Sequence, residues 1–389
     1  MMNKAITRTV WILSLVSLFT DTASEMLYPV MPLYLKSIGF SIILIGILEG
    51  IAEAVAGLSK GYFGKLSDHT GKRMPFVQWG YAFSALSKPL MAAFVYPLWI
   101  FFARTLDRMG KGIRTGARDA VLSSQATPQT KGMIFGFHRS MDTLGAVIGP
   151  LLALLYLQWY PEDYRTLFFI AFVPGLLAIG CSGLLKDRQV VPKPATGSPR
   201  FFSFLGYWKT SPTKYKRLVI GLLLFTLFNS SDVFLLLKAR QAGMNDQNVI
   251  MVYIFYNLVY ALFAFPLGAL ADKVGLKRMF IVGLMVFTIV YGGMASATDK
   301  YLIYGLFFLY GIYAAATEGV SKAWISNLVD NKDTATAIGT FTAFQSICTL
   351  LASSMAGLLW YYYGANIIFW STAAAALLLQ FYFARVVDE

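Results

Sequence analysis

Stretches of mostly apolar residues, each about 20 residues long, recur along the chain and alternate with short polar segments. A helix of that length crosses a hydrocarbon core of about 30 Å. The pattern therefore predicts an all-α protein with about twelve membrane-spanning helices. Their predicted cores are residues 11–35, 42–63, 76–95, 98–121, 133–156, 167–185, 218–237, 249–271, 279–295, 302–325, 335–360 and 367–383.

Composition supports this prediction. Of the 389 residues, 57% are hydrophobic and only 14% are charged, a balance that soluble domains rarely show. Cys181 and Cys348 lie in predicted spans far apart in the sequence, so neither a disulfide nor a metal site is predicted. The lipid bilayer is accordingly the expected surrounding of a multi-pass protein.

Basic loop residues indicate how the helices are oriented. Residues 186–217 contain eight Lys or Arg residues and one acid, Asp187. Short loops rich in Lys and Arg stay in the cytoplasm, so both termini are expected on the cytoplasmic side of the inner (cytoplasmic) membrane. Topology then explains the formal net charge of +13, and no nucleic-acid partner is expected.

The chain divides into two halves. Prolines and glycines within residues 188–214 would end any helix, which predicts a cytoplasmic linker between a six-helix half at 1–187 and another at 215–389. An internal repeat supports the division, because residues 64–73 return as residues 268–278, with an Asp and a Gly three positions later in each copy. Parallel repeats of this kind build transporters around a central cavity.

The repeated segment resembles the cytoplasmic loop signature of the major facilitator superfamily of secondary transporters, and the resemblance covers essentially the whole chain. It implies twelve helices in two pseudo-symmetric halves. It also implies that each Asp acts as a latch at the start of a helix of the other half, with Asp68 near residues 333–335 and Asp272 near residues 128–131. The predicted gate residues are Asp68, Arg73, Arg118, Asp272 and Arg278.

Residues 145–150, Gly-Ala-Val-Ile-Gly-Pro, resemble a second signature, which many drug and proton antiporters carry in the fifth helix. This resemblance favours export by alternating access, driven by a proton gradient and without a cofactor. The further glycines of the signature are absent, since Leu and Ala occupy residues 151–154. A packing seam of small residues that bends at Pro150 is the alternative explanation. We expect a monomer.

Charged residues form a stripe on the fourth predicted helix, from Arg104 to Asp119. At about 100° per residue they fall within an arc of roughly 140°. Each charge facing lipid would cost about 2.5–3.5 kcal/mol, so the stripe must face protein or water. The charges assigned to the interior of the first half balance: the acids are Asp21, Glu25, Glu49, Glu53, Asp107, Asp119 and Asp142, and the bases are Lys88, Arg104, Arg108, Lys111, Arg114, Arg118 and Arg139. Their pairs would either hold the half together or change partners during transport.

Three carboxylates are candidates for proton coupling: Asp21, Glu25 and Asp142. Asp21 and Glu25 share one helix face at i,i+4, beside Tyr28 and two prolines that suggest an adaptable helix. Burial and a nearby cation act in opposite directions on a carboxylate's protonation, so an arriving substrate can release its proton.

Substrate-binding candidates lie in both halves. The second half has few ionisable residues at membrane depth, chiefly Asp232, Glu318 and Lys322, but aromatic and amide residues recur there at helical spacing. The candidates are Arg104, Asp107, Lys111, Arg114 and Tyr28, together with Asn229, Tyr256, Asn257, Tyr313 and Glu318. Unpaired stripe cations would favour an anionic substrate, whereas free Asp21 and Glu25 would favour an organic cation or a metal complex.

The predicted function is secondary active efflux of a small, charged, amphipathic solute in exchange for protons. Two alternatives stay open: proton-coupled import of an organic anion, nutrient or metal chelate, and translocation of a lipid or lipid-linked solute. The sequence contains no metal-ligand spacing, nucleophile elbow or phosphate-binding glycine loop. Neither an enzyme with catalytic residues nor a bound metal is therefore expected.

Overall fold

The computed structural model describes residues 6–187 and 199–386, and no strand occurs in these two ranges. The helices are α1 Arg8–Leu27, α2 Met31–Ser37, α3 Ile42–Thr70, α4 Met74–Ala93, α5 Pro97–Ser124, α6 Lys131–Trp159, α7 Tyr164–Gly183, α8 Tyr207–Thr210, α9 Thr213–Phe228, α10 Val233–Gln241, α11 Asp246–Val274, α12 Leu276–Ser296, α13 Lys300–Asn327, α14 Thr334–Tyr363 and α15 Ala365–Val386, with a 3₁₀ turn at Phe201–Gly206. Residues 188–198 of the predicted linker lie outside the described residues.

The predicted all-α, polytopic architecture is confirmed. A long helix lies at each of the twelve predicted spans. Nine helical segments of the described chain are long and apolar enough to cross a membrane on that basis alone. The remaining long helices, α3, α4 and α5, carry most of the charges that lie in helices of the first half and therefore need protein neighbours for their polar faces.

The first predicted span, 11–35, is wrong as a continuous helix. α1 ends at Leu27, and the short helix α2 begins at Met31. Pro29 lies between them, and it has no N–H to donate while its ring clashes with the preceding turn of a helix. The candidate Tyr28 therefore caps the end of α1 and is exposed.

The seventh predicted span, 218–237, is also interrupted. Residues 229–232 separate α9 from α10, and Asn229 adopts an extended conformation with ψ 91°. The four residues are Asn, Ser, Ser and Asp, whose side chains compete with the backbone for hydrogen bonds and weaken a helix. The repeated segments begin at residues 64 and 268, and the same spacing along the chain takes Tyr28 to Asp232. Both halves are therefore interrupted at equivalent positions.

The described residues form two compact units. The first unit contains residues 6–125, 141–187, 199–210 and 330–343, and the second contains 126–140, 211–329 and 344–386. Each unit thus includes the beginning of one helix from the other sequence half, α14 in the first unit and α6 in the second. The units are therefore not identical to the sequence halves.

Helix packing repeats between the units. In the first unit, α5 packs on α3 and α4, and α7 packs on α4 and α1. In the second unit, α13 packs on α11 and α12, and α15 packs on α12 and α9 in the same arrangement. Gly71 (φ 67°) ends α3, and Gly275 (φ 102°) separates α11 from α12, so both repeated glycines occupy a backbone region that other residues rarely adopt.

Candidate functional site

Most of the charge stripe on α5 is neutralised within the first unit. Arg104 donates two hydrogen bonds of 2.8 Å to the Glu49 carboxylate on α3. The Lys88 ammonium on α4 lies 2.6 Å from the Asp107 carboxylate. Further pairs are Arg108 with Glu53 at 3.1 Å and with Glu49 at 3.8 Å, Arg118 with Asp119 at 3.0 Å, and Arg104 with Asp107 at 3.5 Å. The substrate candidates Arg104 and Asp107 therefore have partners within the protein.

Two cations of the stripe have no carboxylate within 4.0 Å in the described chain. Arg114 is buried, donates a 2.7 Å hydrogen bond to Ser84 and lies over the ring of Tyr81 at 4.6 Å. Lys111 is exposed, although Asp21 and Glu53 are near enough to attract it. Lys111 is thus the candidate substrate-binding cation that stays accessible.

Two of the three proton-coupling candidates are in contact. The carboxyl groups of Asp21 on α1 and Asp142 on α6 lie within hydrogen-bonding reach of one another. Asp142, which is 6% exposed, also accepts a hydrogen bond from the Ser17 hydroxyl. Two ionised carboxylates only accept hydrogen bonds and repel each other, so a shared proton would stabilise a pair this close. The third candidate, Glu25, lies one turn further along α1.

The glycines of segment 145–150 explain how this pair forms. A Cβ atom at Gly145 would collide with the carbonyl oxygen of Leu18, and one at Gly149 would collide with that of Thr22. Only glycine lets α6 approach α1 this closely, and the approach brings Asp142 beside Asp21. These contacts agree with a packing seam of small residues, one of the two interpretations of the segment.

Hydroxyl and amide groups replace ion pairs in the candidate cluster of the second unit. Asn229 accepts from the Tyr291 hydroxyl at 3.3 Å, and its Nδ2 lies 3.2 Å from the hydroxyl oxygen of Tyr313. Asn257 donates instead to the backbone oxygen of Tyr253, one turn earlier on α11. The amide of Asn257 is buried and serves its own helix, so this candidate lies less favourably for a ligand.

Asp232 is a polar centre that was not among the predicted site residues. Its carboxylate accepts hydrogen bonds of 2.6 Å from Tyr256 and from Tyr310. The signal was present in the sequence, because Asp232 is one of few acids within the spans of the second half. The candidate Glu318, by contrast, pairs with Arg139 at 2.8 Å, a cation contributed by the first sequence half.

The two repeated Asp residues both bind the first turn of a helix from the other sequence half. Asp68 accepts from the backbone N–H and the hydroxyl of Thr336, at 2.7 and 2.9 Å. Asp272 accepts from the N–H groups of Gly132 and Met133, both at 2.7 Å. These contacts begin one residue beyond the predicted segments, and they place a negative charge at a helix N-terminus, where the helix dipole stabilises it.

The basic residues predicted for the gates differ in position. Arg73 is buried, lies 3.1 Å from Asp68 and also donates to the carbonyl oxygen of Asn331. Arg278 is exposed and makes no ion pair within the described chain, so it is not the counterpart of Arg73. Arg118 belongs to the charge network of α5 rather than to either latch.

Burial affects the protonation of the first latch. Asp68 lies beyond the predicted span 42–63 and is almost inaccessible to solvent. Burial raises the pKa of its carboxyl group to about 6, although Arg73 and the hydrogen bonds from Thr336 act in the opposite direction. This carboxylate therefore takes up a proton in mild acid.

A bundle of long apolar helices in two repeats, with charged residues inside, defines a polytopic membrane transporter. The family model described as Major Facilitator Superfamily matches residues 13–255 and 218–389. An uncharacterized MFS-type transporter of Methanocaldococcus jannaschii is 33% identical over 364 residues, covering 92% of this chain and 90% of that protein. The chain belongs to the Major Facilitator Superfamily, whose members move small-molecule solutes across membranes.

More distant relatives and solved structures extend the comparison. The multidrug resistance efflux pump PmrA of Streptococcus pneumoniae is 25% identical over 320 residues, covering 76% of this chain and 75% of the pump. The crystal structure of the human organic anion transporter MFSD10 has a TM-score of 0.82 at 15% identity and covers 97% of this chain and 99% of that chain. This second likeness shows a shared fold.

Proposed function

We propose that this transporter exports a small, charged, amphipathic solute in exchange for protons, by alternating access. The carboxyl pair of Asp21 and Asp142 is the observation that carries the proposal. A proton held between two carboxyl groups is released when a cation approaches or when the two helices separate, and it is taken up again when they return. The pair would thus couple proton movement to the arrangement of α1 and α6.

Three contacts between the sequence halves support alternating access. The Asp68 and Asp272 latches and the Arg139–Glu318 ion pair each join residues of different sequence halves. All three contacts would have to break when the helix ends that we expect on the cytoplasmic side move apart. They would re-form when those ends close.

Export is the direction that the efflux pumps among the relatives support. The basic segment at 186–217 supports cytoplasmic termini in an inner membrane. Proton-coupled import of an organic anion is the second candidate, and the accessible Lys111 is the observation that favours it. MFSD10, which shares the fold, is an organic anion transporter, in agreement with the charge of the solute in that alternative.

Reconstitution into liposomes tests the proposal. A pH gradient is imposed, and proton flux is recorded with a trapped pH-sensitive dye while organic cations, organic anions or metal chelates are added. We expect a solute that moves opposite to the protons, and we expect Asp142→Asn or Asp21→Asn to reduce the coupled flux to that of empty liposomes. Asp330→Asn, at an exposed position, is the matched control and should leave the flux unchanged.

The outcomes separate the candidates. Solute that moves together with protons would establish an importer and reject export. Full coupling in both Asp21→Asn and Asp142→Asn would remove the pair from the mechanism.

A further inference from the structure

One carboxylate of the second unit has no cation beside it. Asp232 lies in the break between α9 and α10, inside the predicted span 218–237, and keeps part of its surface exposed. No Lys, Arg or His nitrogen of the described chain lies within 4.0 Å of its oxygens. Charge at this depth is costly unless it is paired, so Asp232 differs from the paired carboxylates of the first unit.

The hydrogen bonds of Asp232 stabilise its charge without cancelling it. Tyr256 donates to one carboxylate oxygen and Tyr310 to the other, each at 2.6 Å. Distances of this length are typical of hydroxyl groups that donate to an ionised oxygen. Both hydroxyl groups are neutral, so neither of them balances the negative charge of an ionised Asp232.

The surroundings of Asp232 are aromatic. The ring centroids of Tyr256 and Tyr310 are 5.4 Å apart, and Tyr310 lies at the same distance from Tyr313. Tyr253 extends the cluster at 5.5 Å from Tyr256. Aromatic faces attract cations that lie within about 6 Å of the ring centre, most strongly where water is excluded.

We infer that Asp232, Tyr256 and Tyr310 form a recognition site for a monovalent organic cation with an apolar body. The inference rests on the proposed export function and deepens it, since it names the charge of the exported solute. The carboxylate supplies the charge, and the rings supply the apolar and quadrupolar contact. A hard divalent metal ion fits less well, because it needs several oxygen ligands and the described residues hold no group of three acidic, His or Cys side chains.

Binding to the purified full-length protein in detergent tests this site without transport. The probes are tetraphenylphosphonium and tetraphenylborate, which have nearly the same size and opposite charges. Equilibrium dialysis of labelled tetraphenylphosphonium, with excess unlabelled probe as the blank, gives the dissociation constant. We expect saturable binding that Asp232→Asn weakens by about tenfold or more, because one nearby charge is lost.

Three variants show whether a loss of binding comes from the lost charge or from misfolding. Asp232→Glu keeps the charge and should bind the cation more tightly than Asp232→Asn. Tyr310→Phe keeps the charge but loses one hydroxyl, so we expect a loss of about threefold. Asp330→Asn, an exposed change of the same kind, should bind like the wild type.

The results would overturn the site in two ways. Wild-type protein that does not bind tetraphenylphosphonium, or binds it equally well as Asp232→Asn, removes the site. Labelled tetraphenylborate, dialysed in a separate experiment, that binds more tightly than tetraphenylphosphonium would reverse the assigned charge. Proton coupling measured in liposomes is independent of this assay, so the site and the export function can fail separately.

Discussion

The two units stabilise the carboxylates within their predicted spans differently. In the first unit Asp107 has Lys88 at 2.6 Å, and Glu49 has Arg104 at 2.8 Å. In the second unit Asp232 has two tyrosine hydroxyl groups and no cation within 4.0 Å in the described chain. One unit thus carries an ionic network, and the other carries a carboxyl group that is bound by hydroxyl groups.

The difference has consequences for function. Cations held in ion pairs are neutralised, so they are poor ligands for a substrate unless the pairs open. A carboxylate bound only by neutral donors has no cation that balances its charge when it is ionised. The first unit therefore suits coupling and stability, whereas the second suits recognition of a positive group.

The largest expected effect is on the ionic network. Lys88→Met should lower the free energy of unfolding by about 3 kcal/mol, because the buried Asp107 then keeps only Arg104, at 3.5 Å, as a cation within 4.0 Å in the described chain. The double variant Lys88→Met with Asp107→Leu should recover most of that loss, since no unpaired charge remains. Denaturant unfolding in detergent micelles measures both variants.

An exposed ion pair provides the control for this prediction. Lys332 lies 3.5 Å from Asp330, and both side chains are more than half exposed. Lys332→Met should change the stability by no more than about 0.5 kcal/mol. Equal losses of unfolding free energy in Lys88→Met and Lys332→Met would contradict the prediction that the buried ion pair stabilises the protein more than the exposed one.

The second effect concerns the hydroxyl-bound carboxylate. Tyr310→Phe should cost about 1–3 kcal/mol, because one oxygen of Asp232 loses its donor. Tyr361→Phe, at a position that is 82% exposed, is the matched control and should be neutral. A loss at Tyr310 as large as that at Lys88 would contradict the contrast between the two units, and thermal unfolding of the purified variants decides the matter.

Sequence patterns predicted the helices better than the contacts between them. Hydropathy located the twelve long helical regions because each of them is apolar over a length that can cross a membrane. It missed the break at 229–232, where four small polar side chains weaken the helix without a proline. The partners within the stripe depend on how α3, α4 and α5 pack, so spacing along one helix could not assign Lys88 to Asp107.

The repeat carried more information about the site than individual residues did. It located both latches to within about two residues, because a carboxylate and a helix N-terminus impose the same geometry in each half. It did not distinguish Arg73, which joins its latch, from Arg278, which is exposed. That difference follows from burial, which the repeated motif does not encode.

The smallest effect is expected at Asp272, so the two latches should be unequal. Asp68→Asn removes the carboxylate beside the buried Arg73 and should cost about 1–3 kcal/mol, because the carbonyl oxygens of Ala120 and Asn331 still accept hydrogen bonds from Arg73. Asp272→Asn keeps an oxygen acceptor for one of the two N–H groups and leaves no cation behind, so its loss should be about 1 kcal/mol, that of one hydrogen bond. Unfolding of the two variants in the same detergent gives the comparison directly. Equal losses would mean that the ion pair with Arg73 does not stabilise the first latch. A larger loss at Asp272 would contradict the predicted order of the two latches.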